Sequence, residues 1–228
     1  MRSKANRIER VSPLNRPEFV YKYSAVNQYF FDALSRSSFW FSHHDKLNDP
    51  LDCKLELSDE LLESHFGSDS KHPFIRDFAV NAFIWGVCCF TTDPVNYLMW
   101  SHYAAGHTGV CLEFRTRRSE LLLNTLHPVT YSDESRVIKT MDEYPKAFFQ
   151  KTTHWAYEKE WRLLGGGDEY MSYPRVALSS ITFGVKATAD TIASVISECK
   201  KASFQRTSFF RIRIASSGST LVREPLPG

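Results

Sequence analysis

The spacing of apolar residues alternates along the chain between a helical period and a strand period. Between residues 26 and 34, apolar side chains recur at i, i+3, i+4, i+7 and i+8, which predicts an amphipathic helix capped by Ser24. A similar helix is predicted at residues 188–200. Short apolar or alternating runs predict strands at residues 20–23, 39–41, 83–91, 110–114, 155–164, 181–185 and 210–214. Because the two element types do not alternate strictly, we predict an α+β fold with a mixed, mostly antiparallel sheet and flanking helices.

Turn and capping signals indicate further boundaries in the middle of the chain. Asp93 and Pro94 are typical of an N-cap followed by the first helical residue. They predict a helix that runs through residues 99–103 and stops at Gly106. Residues 116–154 are predicted to be mainly helical, with a strand near residues 129–131 and a break at Pro145.

The length of 228 residues suits one domain, and we divide the chain accordingly. A flexible, basic N-terminal segment spans residues 1–17, and a single α+β domain spans residues 18–228. A helical insertion near residues 58–78 is interrupted by Gly67 and Pro73. The net charge of +2 is too small to indicate a nucleic-acid-binding surface by itself. The basic segment is interpreted as a solvated terminus, with a functional basic arm as the alternative.

Cysteine usage and hydropathy bear on the cellular compartment. Five cysteines without a C-x-x-C spacing indicate neither a disulfide framework nor a zinc ribbon. The longest apolar run, residues 79–90, is shorter than the roughly 20 residues that span a bilayer. No apolar segment follows the N-terminal charges in the way that a secretory signal requires. We therefore predict a cytoplasmic protein that does not enter the membrane.

The most informative chemical pattern lies in the predicted strand at residues 155–164. Side chains alternate between the two faces of a strand, so Glu158, Glu160 and Arg162 are expected on one face. Trp155, Tyr157, Lys159 and Trp161 are then expected on the other face. Two interpretations stay open: a catalytic carboxylate in a cleft, or a structural Glu–Arg pair that closes a sheet.

Two further polar stretches carry candidate residues. His102 and His107 are five residues apart and so do not share a helix face, which disfavours a common metal site. We interpret His102 as a buried, hydrogen-bonded imidazole rather than a ligand. The turn at residues 48–52 contains Asp49 and Asp52, which could bind a hard cation, but a simple capped turn is the preferred interpretation.

Several short motifs together resemble one protein family. They are Tyr21-Lys22-Tyr23, Phe41-Ser42, Asn48-Asp49-Pro50, Cys89-Phe90-Thr91, Met99-Trp100-Ser101-His102-Tyr103, Gly109-Val110, Tyr131-Ser132, Lys151, Tyr157-Glu158-Lys159-Glu160-Trp161-Arg162 and Phe183-Gly184. This combination resembles a bacterial family catalogued as domain of unknown function 2971, over most of the chain. Asp52 stands where a Glu is expected after Asn-Asp-Pro, and Thr91 where Ser is common.

The order of these motifs also resembles the layout of ADP-ribosyltransferases. That resemblance implies a split-sheet fold and NAD as the substrate. It implies that Tyr21 or Tyr23 and Thr91 or Ser101 hold NAD, while Glu160 or Glu158 stabilises the oxocarbenium-like transition state. Arg162 could bind a phosphate bidentately or orient Glu160. Rings can stack on the nicotinamide cation. The residues expected at the NAD site therefore also include His102, Tyr103 and Trp155.

Three functional hypotheses follow. The first is an ADP-ribosyltransferase that uses NAD and needs no metal, with a protein or nucleic-acid acceptor, acting as a toxin or phage-defence effector. The second is a metal-dependent nuclease or phosphohydrolase. Its candidate ligands are Asp45, Asp49, Asp52, His102, Glu158 and Glu160. The third is a non-enzymatic sensor or interaction module, in which the same residues are architectural.

Overall fold

A computed structural model of the chain describes residues 15–54, 56–73, 85–134, 137–218 and 220–226. Its α-helices are α1 (Gln28–Arg36), α2 (Asp59–Phe66), α3 (Tyr97–Tyr103), α4 (Glu120–Thr125) and α5 (Ala189–Lys201). Its strands are β1 (Phe19–Ser24), β2 (Ser38–His43), β3 (Glu56–Leu57), β4 (Trp85–Thr91), β5 (Val110–Arg115), β6 (His127–Pro128), β7 (Thr130–Tyr131), β8 (Val137–Ile138), β9 (Gln150–Lys151), β10 (Glu160–Gly166), β11 (Glu169–Ser172), β12 (Leu178–Phe183), β13 (Ser208–Ile214) and β14 (Leu221–Pro225).

Two helices begin later than the capping signals predicted. Asn27, not Ser24, caps α1, because its side chain accepts from the backbone N–H of Phe30 while Ser24 still belongs to β1. Asn96, not Asp93, caps α3 by accepting from the first turn of that helix. Asp93 instead closes a tight turn by accepting from the backbone N–H of Val95. Both sites show that an Asn nearer to the helix satisfies its exposed N–H groups directly.

Ten strands form one open sheet in the order β11-β2-β4-β1-β5-β12-β13-β14, with β10 beside β4 and β6 beside β10. Within it, β12 and β13 are parallel and are connected through α5, and every other pair is antiparallel. The predicted α+β class with a mixed, mostly antiparallel sheet is therefore confirmed.

The sheet divides at β4. Along one edge β4 pairs with β10 over its whole length, from Trp85 opposite Gly166 to Thr91 opposite Glu160. The other edge is shared: β2 pairs near the start of β4, at Val87, and β1 pairs only at Thr91. Between those two contacts, residues 88–90 have no neighbouring strand on this edge among the described residues. The sheet therefore opens into a cleft between β1 and β2.

The middle of the chain is less helical than predicted. Residues 116–154 contain the two-turn helix α4, several two-residue strands, and a 3₁₀ segment over Met141–Phe149 that includes Pro145. Proline lacks an N–H and cannot continue a regular α-helix at this point. This segment packs with α2 through Leu62, Tyr144 and Phe148 into an apolar cluster beside the main core.

Some predicted boundaries lie at the limits of the described residues. Residues 1–14 and 74–84 are outside them, so neither most of the basic N-terminal segment nor the end of the 58–78 insertion is described. Arg16 is buried and donates to the carbonyls of Leu126 and Asn124, so this residue of the segment belongs to the fold. No helix within the described residues has the length and apolar character needed to cross a membrane.

Candidate functional site

The acidic motif at residues 155–162 does not form one continuous strand. Thr153–Glu158 is a 3₁₀ segment, and Lys159 follows it in the left-handed region at φ 47°. Strand β10 begins only at Glu160. The predicted separation of Trp155, Tyr157, Lys159 and Trp161 onto an opposite strand face is therefore wrong. The grouping of Glu158 with Glu160 and Arg162 survives, because the turn at Lys159 directs both glutamates into the same buried cluster.

Arg162 is the centre of this cluster and is fully buried. It binds both oxygens of Asp52, with Nη1–Oδ1 2.9 Å and Nη2–Oδ2 2.5 Å. It also binds both oxygens of Glu160, with Nε–Oε1 2.7 Å and Nη2–Oε2 2.9 Å. A bond of 2.8 Å from Nη1 to the carbonyl of Phe148 completes the set. All five N–H donors of the guanidinium are thus used.

Lys151, from β9, connects the two glutamates. Its Nζ lies 2.6 Å from Oε2 of Glu158, 3.4 Å from Oε2 of Glu160 and 3.5 Å from Oδ2 of Asp52. The ammonium also lies 4.7 Å from the ring centre of Trp155, at cation–π distance. Three buried carboxylates therefore share two cations, which leaves one unit of negative charge when every group is ionised.

Glu158 faces a different set of partners from Glu160. The hydroxyl of Tyr103 donates to its Oε1 at 2.5 Å, and the side chain of Asn48 donates to that hydroxyl at 3.1 Å. Thr91 donates from Oγ1 to the backbone carbonyl of Glu158 at 2.5 Å, which holds the end of the 3₁₀ segment against β4. Glu158 therefore has one cationic partner, Lys151, and one neutral partner.

These surroundings separate the carboxyl groups electrostatically. Burial raises the pKa of Glu158 and, despite Lys151, the pKa stays above its ordinary value of 4.5. Burial would also raise the pKa of Glu160 and Asp52, but the Arg162 guanidinium outweighs it and holds both pKa values below normal. Burial opposes the charge of Lys151, yet Glu160 and Glu158 raise the pKa of its ammonium above normal. The cluster therefore contains two firmly ionised carboxylates and one, Glu158, that protonates more easily.

Two cavities occupy the cleft where the sheet divides. The smaller, of about 170 Å³, is lined by Glu158, Glu160, Lys151, Asp52 and Tyr103 together with Tyr21, Lys22, Tyr23, Leu47, Asn48, Cys89, Phe90, Thr91 and Met99. The larger, of about 820 Å³, extends past α1 and β2 to Trp40 and Tyr170. Five residues line both cavities: Lys22, Tyr23, Leu47, Cys89 and Tyr103. Cys89, in β4, is half-buried and lies at the junction of the two cavities.

Four residues expected to hold NAD lie at this cleft, though in different roles. Tyr21 lines the smaller cavity, where burial and then Glu113 raise the pKa of its hydroxyl to about 12. Tyr103 binds Glu158 directly. Tyr23 is buried and its hydroxyl donates a hydrogen bond to the carbonyl of Asp93. Its ring packs edge to face on Trp100, with ring centres 5.0 Å apart. Thr91 is fully buried and bonded to backbone, so it positions Glu158 rather than facing a ligand.

The other three expected NAD-site residues line neither cavity. Ser101 lies on α3. His102, on the same helix, is hydrogen-bonded as predicted, with Nδ1 3.1 Å from the hydroxyl of Tyr157, but the prediction that it is buried is wrong, since its side chain is exposed. The ring of Trp155 contacts the ammonium of Lys151 and lies beside the ring of Tyr157. On a short helix, consecutive side chains point about 100° apart, so of the motif Ser101-His102-Tyr103 only Tyr103 reaches Glu158.

The geometry does not assemble the proposed metal ligands. No group of three or more His, Cys, Asp or Glu side chains among the described residues is arranged to hold a metal ion. Asp52 and Glu160 are bound to Arg162. Asp45 pairs with His43 at the surface, and Asp49 closes a turn by accepting from the backbone N–H of Leu51. The capped-turn interpretation of residues 48–52 is therefore the one the structure favours, with Asp52 added to the buried cluster.

The role of three residues escaped the sequence reasoning. Lys151 was part of the family pattern, but nothing in its spacing linked it to the glutamates. Asp52 was considered only as a metal ligand, although it pairs with Arg162, 110 positions away. Lys22 appeared as a motif letter between two tyrosines and was given no function. Each role depends on contacts between distant segments.

Comparison with known proteins bears on the family and not on the activity. Residues 99–163 match the model of a family described as protein of unknown function (DUF2971). This segment contains both long motifs, at residues 99–103 and 157–162, and the resemblance to this family is thereby confirmed. No curated protein and no solved structure matches the chain.

Proposed function

For this chain, which belongs to the DUF2971 family through residues 99–163, we propose an enzyme of ADP-ribosyltransferase type that takes NAD as its substrate. The observation that carries the proposal is the difference between the two glutamates at the cleft. Glu158 is held by Tyr103 and Lys151, and it has a raised pKa at the wall of a cavity. We therefore assign the reacting carboxylate to Glu158 and a supporting role to Glu160.

The proposed reaction is the transfer of ADP-ribose. The bond between C1′ of the ribose and the pyridinium nitrogen breaks, and its electron pair stays on nicotinamide, which leaves as a neutral molecule. Positive charge develops on the ribose, and the carboxylate of Glu158 stabilises that charge more than it stabilises the substrate. A nucleophile on a protein or nucleic-acid acceptor then bonds to C1′. Its proton passes to Glu158 and from there to solvent.

The charge and shape of the cleft support a substrate with a flat cationic ring. The Asp52–Glu158–Glu160–Lys151–Arg162 cluster carries one excess negative charge when every group is ionised, and rings of Tyr21, Tyr103 and Phe90 line the same cavity. A cation beside aromatic faces gains about 0.5–2 kcal/mol. The larger cavity, at about 820 Å³, falls within the roughly 300–1,000 Å³ typical of small-molecule and cofactor sites.

The decisive experiment follows release of labelled nicotinamide from NAD by the purified chain, with and without bacterial lysate as a source of acceptor. We expect Glu158→Gln to lower the release at least about 100-fold, as loss of a charge-stabilising group does. The matched control is Glu63→Gln, at an exposed glutamate of α2, which should keep wild-type activity. The fate of the adenylate label identifies the acceptor. Absence of release by a folded wild-type chain would disprove the proposal.

A second candidate, a non-enzymatic binding module, is favoured by one observation. All five donors of Arg162 are bonded inside the protein, so this residue serves the architecture of the cleft and not a ligand. If the chain is a binding module, Glu158→Gln changes the affinity for the ligand, and neither the wild type nor the variant releases nicotinamide. Parallel measurement of NAD binding and nicotinamide release therefore separates the two candidates.

A further inference from the structure

Lys22 occupies the opening between β1 and β2. Residues 88–90 of β4 have no strand beside them on this edge, and Nζ of Lys22 donates to the carbonyl of Cys89 at 3.2 Å. A side chain thus takes the place that a neighbouring backbone N–H would occupy in a continuous sheet. The ammonium also lies 5.5 Å from the ring centre of Phe90. Lys22 is therefore held at a defined point of the cleft rather than extended into solvent.

The ammonium of Lys22 retains binding capacity at this point. Lys22 lines both cavities, so it stands at their junction. Among the described residues, no carboxylate oxygen lies within the 4.0 Å ion-pair distance of its Nζ. An ammonium has three donors, of which the carbonyl of Cys89 and the side chain of Cys88 use two, so one remains. The charge of Glu160 favours the ammonium from a distance, and an anion in the cleft would add the direct ionic contact that no described carboxylate makes.

The far end of the larger cavity offers a place for a planar ring. Trp40 and Tyr170 meet edge to face with ring centres 4.8 Å apart, and Trp40 is 37% exposed. The guanidinium of Arg36 lies 5.1 Å from the ring centre of Tyr170. Aromatic faces beside a guanidinium favour stacking of a nucleobase. The cleft therefore has an acidic end at Glu158, a cation at Lys22 and aromatic rings beyond it.

We propose that Lys22 binds the phosphoryl groups of a nucleotide whose base lies toward Trp40 and Tyr170. This inference deepens the proposed function. The placement of a cationic ring at Glu158 rests on that function, whereas binding of the phosphoryl groups at Lys22 does not require the protein to catalyse a reaction. The order of charges along the cleft matches a dinucleotide that has a pyridinium at one end and phosphates in the middle.

The test measures binding of ADP and of adenosine by titration calorimetry to the wild type, Lys22→Met, Lys22→Arg and the control Lys200→Met. Lys200 is exposed on α5 and lines neither cavity. We expect Lys22→Met to weaken ADP binding about 10- to 100-fold, as loss of a charged hydrogen bond does. Adenosine binding should not change, and Lys22→Arg should retain most of the affinity for ADP. Equal ADP affinity of the wild type and Lys22→Met, or no ADP binding at all, would overturn the inference.

A second measurement uses only the wild-type chain, in case Lys22→Met does not fold. Acetylation of lysines is followed by mass spectrometry with and without ADP. ADP should protect Lys22 at least several-fold and leave Lys200 unaffected, and equal labelling of Lys22 in both samples would count against the site. Nicotinamide release is measured in parallel. ADP binding without release would reject only the enzyme proposal, and release with no effect of Lys22→Met on KM or ADP binding would reject only the Lys22 site.

Discussion

The Arg162 side and the Glu158 side of the buried ion cluster differ in how completely their polar atoms are bonded. On the first side, Arg162, Asp52 and Glu160 satisfy one another through four short contacts. On the second side, Glu158 is held by one lysine and one tyrosine, and it borders the cavity that Lys22 also lines. The carboxylates on the Arg162 side therefore stay ionised and bonded to the protein. On the other side, Glu158 can contact a ligand in the cavity and takes up a proton more easily.

This difference shows how one short motif can serve two purposes. Glu158 and Glu160 are two positions apart, and Lys151 contacts both. A buried carboxylate bound twice to a guanidinium stays ionised, because its removal would leave an unpaired charge. A carboxylate with fewer charged partners in a dry site has a raised pKa and exchanges its proton readily. The fully bonded Arg162 side therefore holds the Glu158 side in position.

The largest expected effect on stability comes from Arg162→Met, which removes the centre of the Arg162 side of the cluster. Asp52 and Glu160 would remain buried without their shared partner, which costs about 3–5 kcal/mol in the free energy of unfolding. Urea denaturation followed by circular dichroism measures this loss, with Arg117→Met at an exposed arginine as the control. A loss below about 1 kcal/mol for Arg162→Met would show that the network does not stabilise the fold.

The next largest effect contrasts the two glutamates directly. We expect Glu160→Gln to lower the free energy of unfolding by about 1.5–3 kcal/mol, because it weakens hydrogen bonds to a charged guanidinium. Glu158→Gln should lower it by less than about 1 kcal/mol, because a raised pKa means that the ionised form is disfavoured in the folded state. The same denaturation experiment compares them, and equal losses for both variants would remove the distinction on which the active-site assignment depends.

The pH dependence of stability sharpens the comparison further. Asp52 and Glu160 have folded pKa values below the ordinary 3.8 and 4.5, so the stability they contribute is present above those values and is lost as the pH falls. Glu158 has a folded pKa above 4.5, so its contribution declines as the pH rises from 4.5 through that raised pKa. Denaturation of the wild type and Glu158→Gln between about pH 3 and 8 measures both slopes. Glu158→Gln should lose only the decline in stability that Glu158 causes as the pH rises. An unchanged pH profile would contradict a raised pKa for Glu158.

The smallest expected effect concerns the hydroxyl of Tyr103. Tyr103→Phe removes one hydrogen bond to Glu158, worth about 1 kcal/mol, and should lower nicotinamide release about fivefold. The hydroxyl also holds the pKa of Glu158 down, so its loss should move the acidic limb of the rate profile to higher pH. Rate–pH profiles of the two proteins test this. A reduced rate with no movement of the acidic limb would assign Tyr103 to packing alone.

Local signals predicted much of the architecture. The periodic apolar residues of α1 and α5 and the strands around residues 20–23, 110–114 and 210–214 lie close to the expected positions. The predicted N-cap residues were wrong, because Asn27 and Asn96, not Ser24 and Asp93, accept hydrogen bonds from the first turns of the two helices. A strand was predicted near residues 129–131 and β7 lies there, whereas the helix break predicted at Pro145 falls within 3₁₀ turns over Met141–Phe149 that pack against α2.

The sequence by itself determined the α+β class, the family resemblance and the grouping of Glu158 and Glu160 with Arg162. It did so because local periodicity and motif order are properties of neighbouring residues. Only the tertiary structure decided which glutamate is bound to Arg162, that Asp52 and Lys151 complete the cluster, and that Lys22 lies where the sheet divides. These roles arise because β1, β4, β9 and β10 are distant in the chain and adjacent in space, and burial then acts on each charge according to the partners it meets.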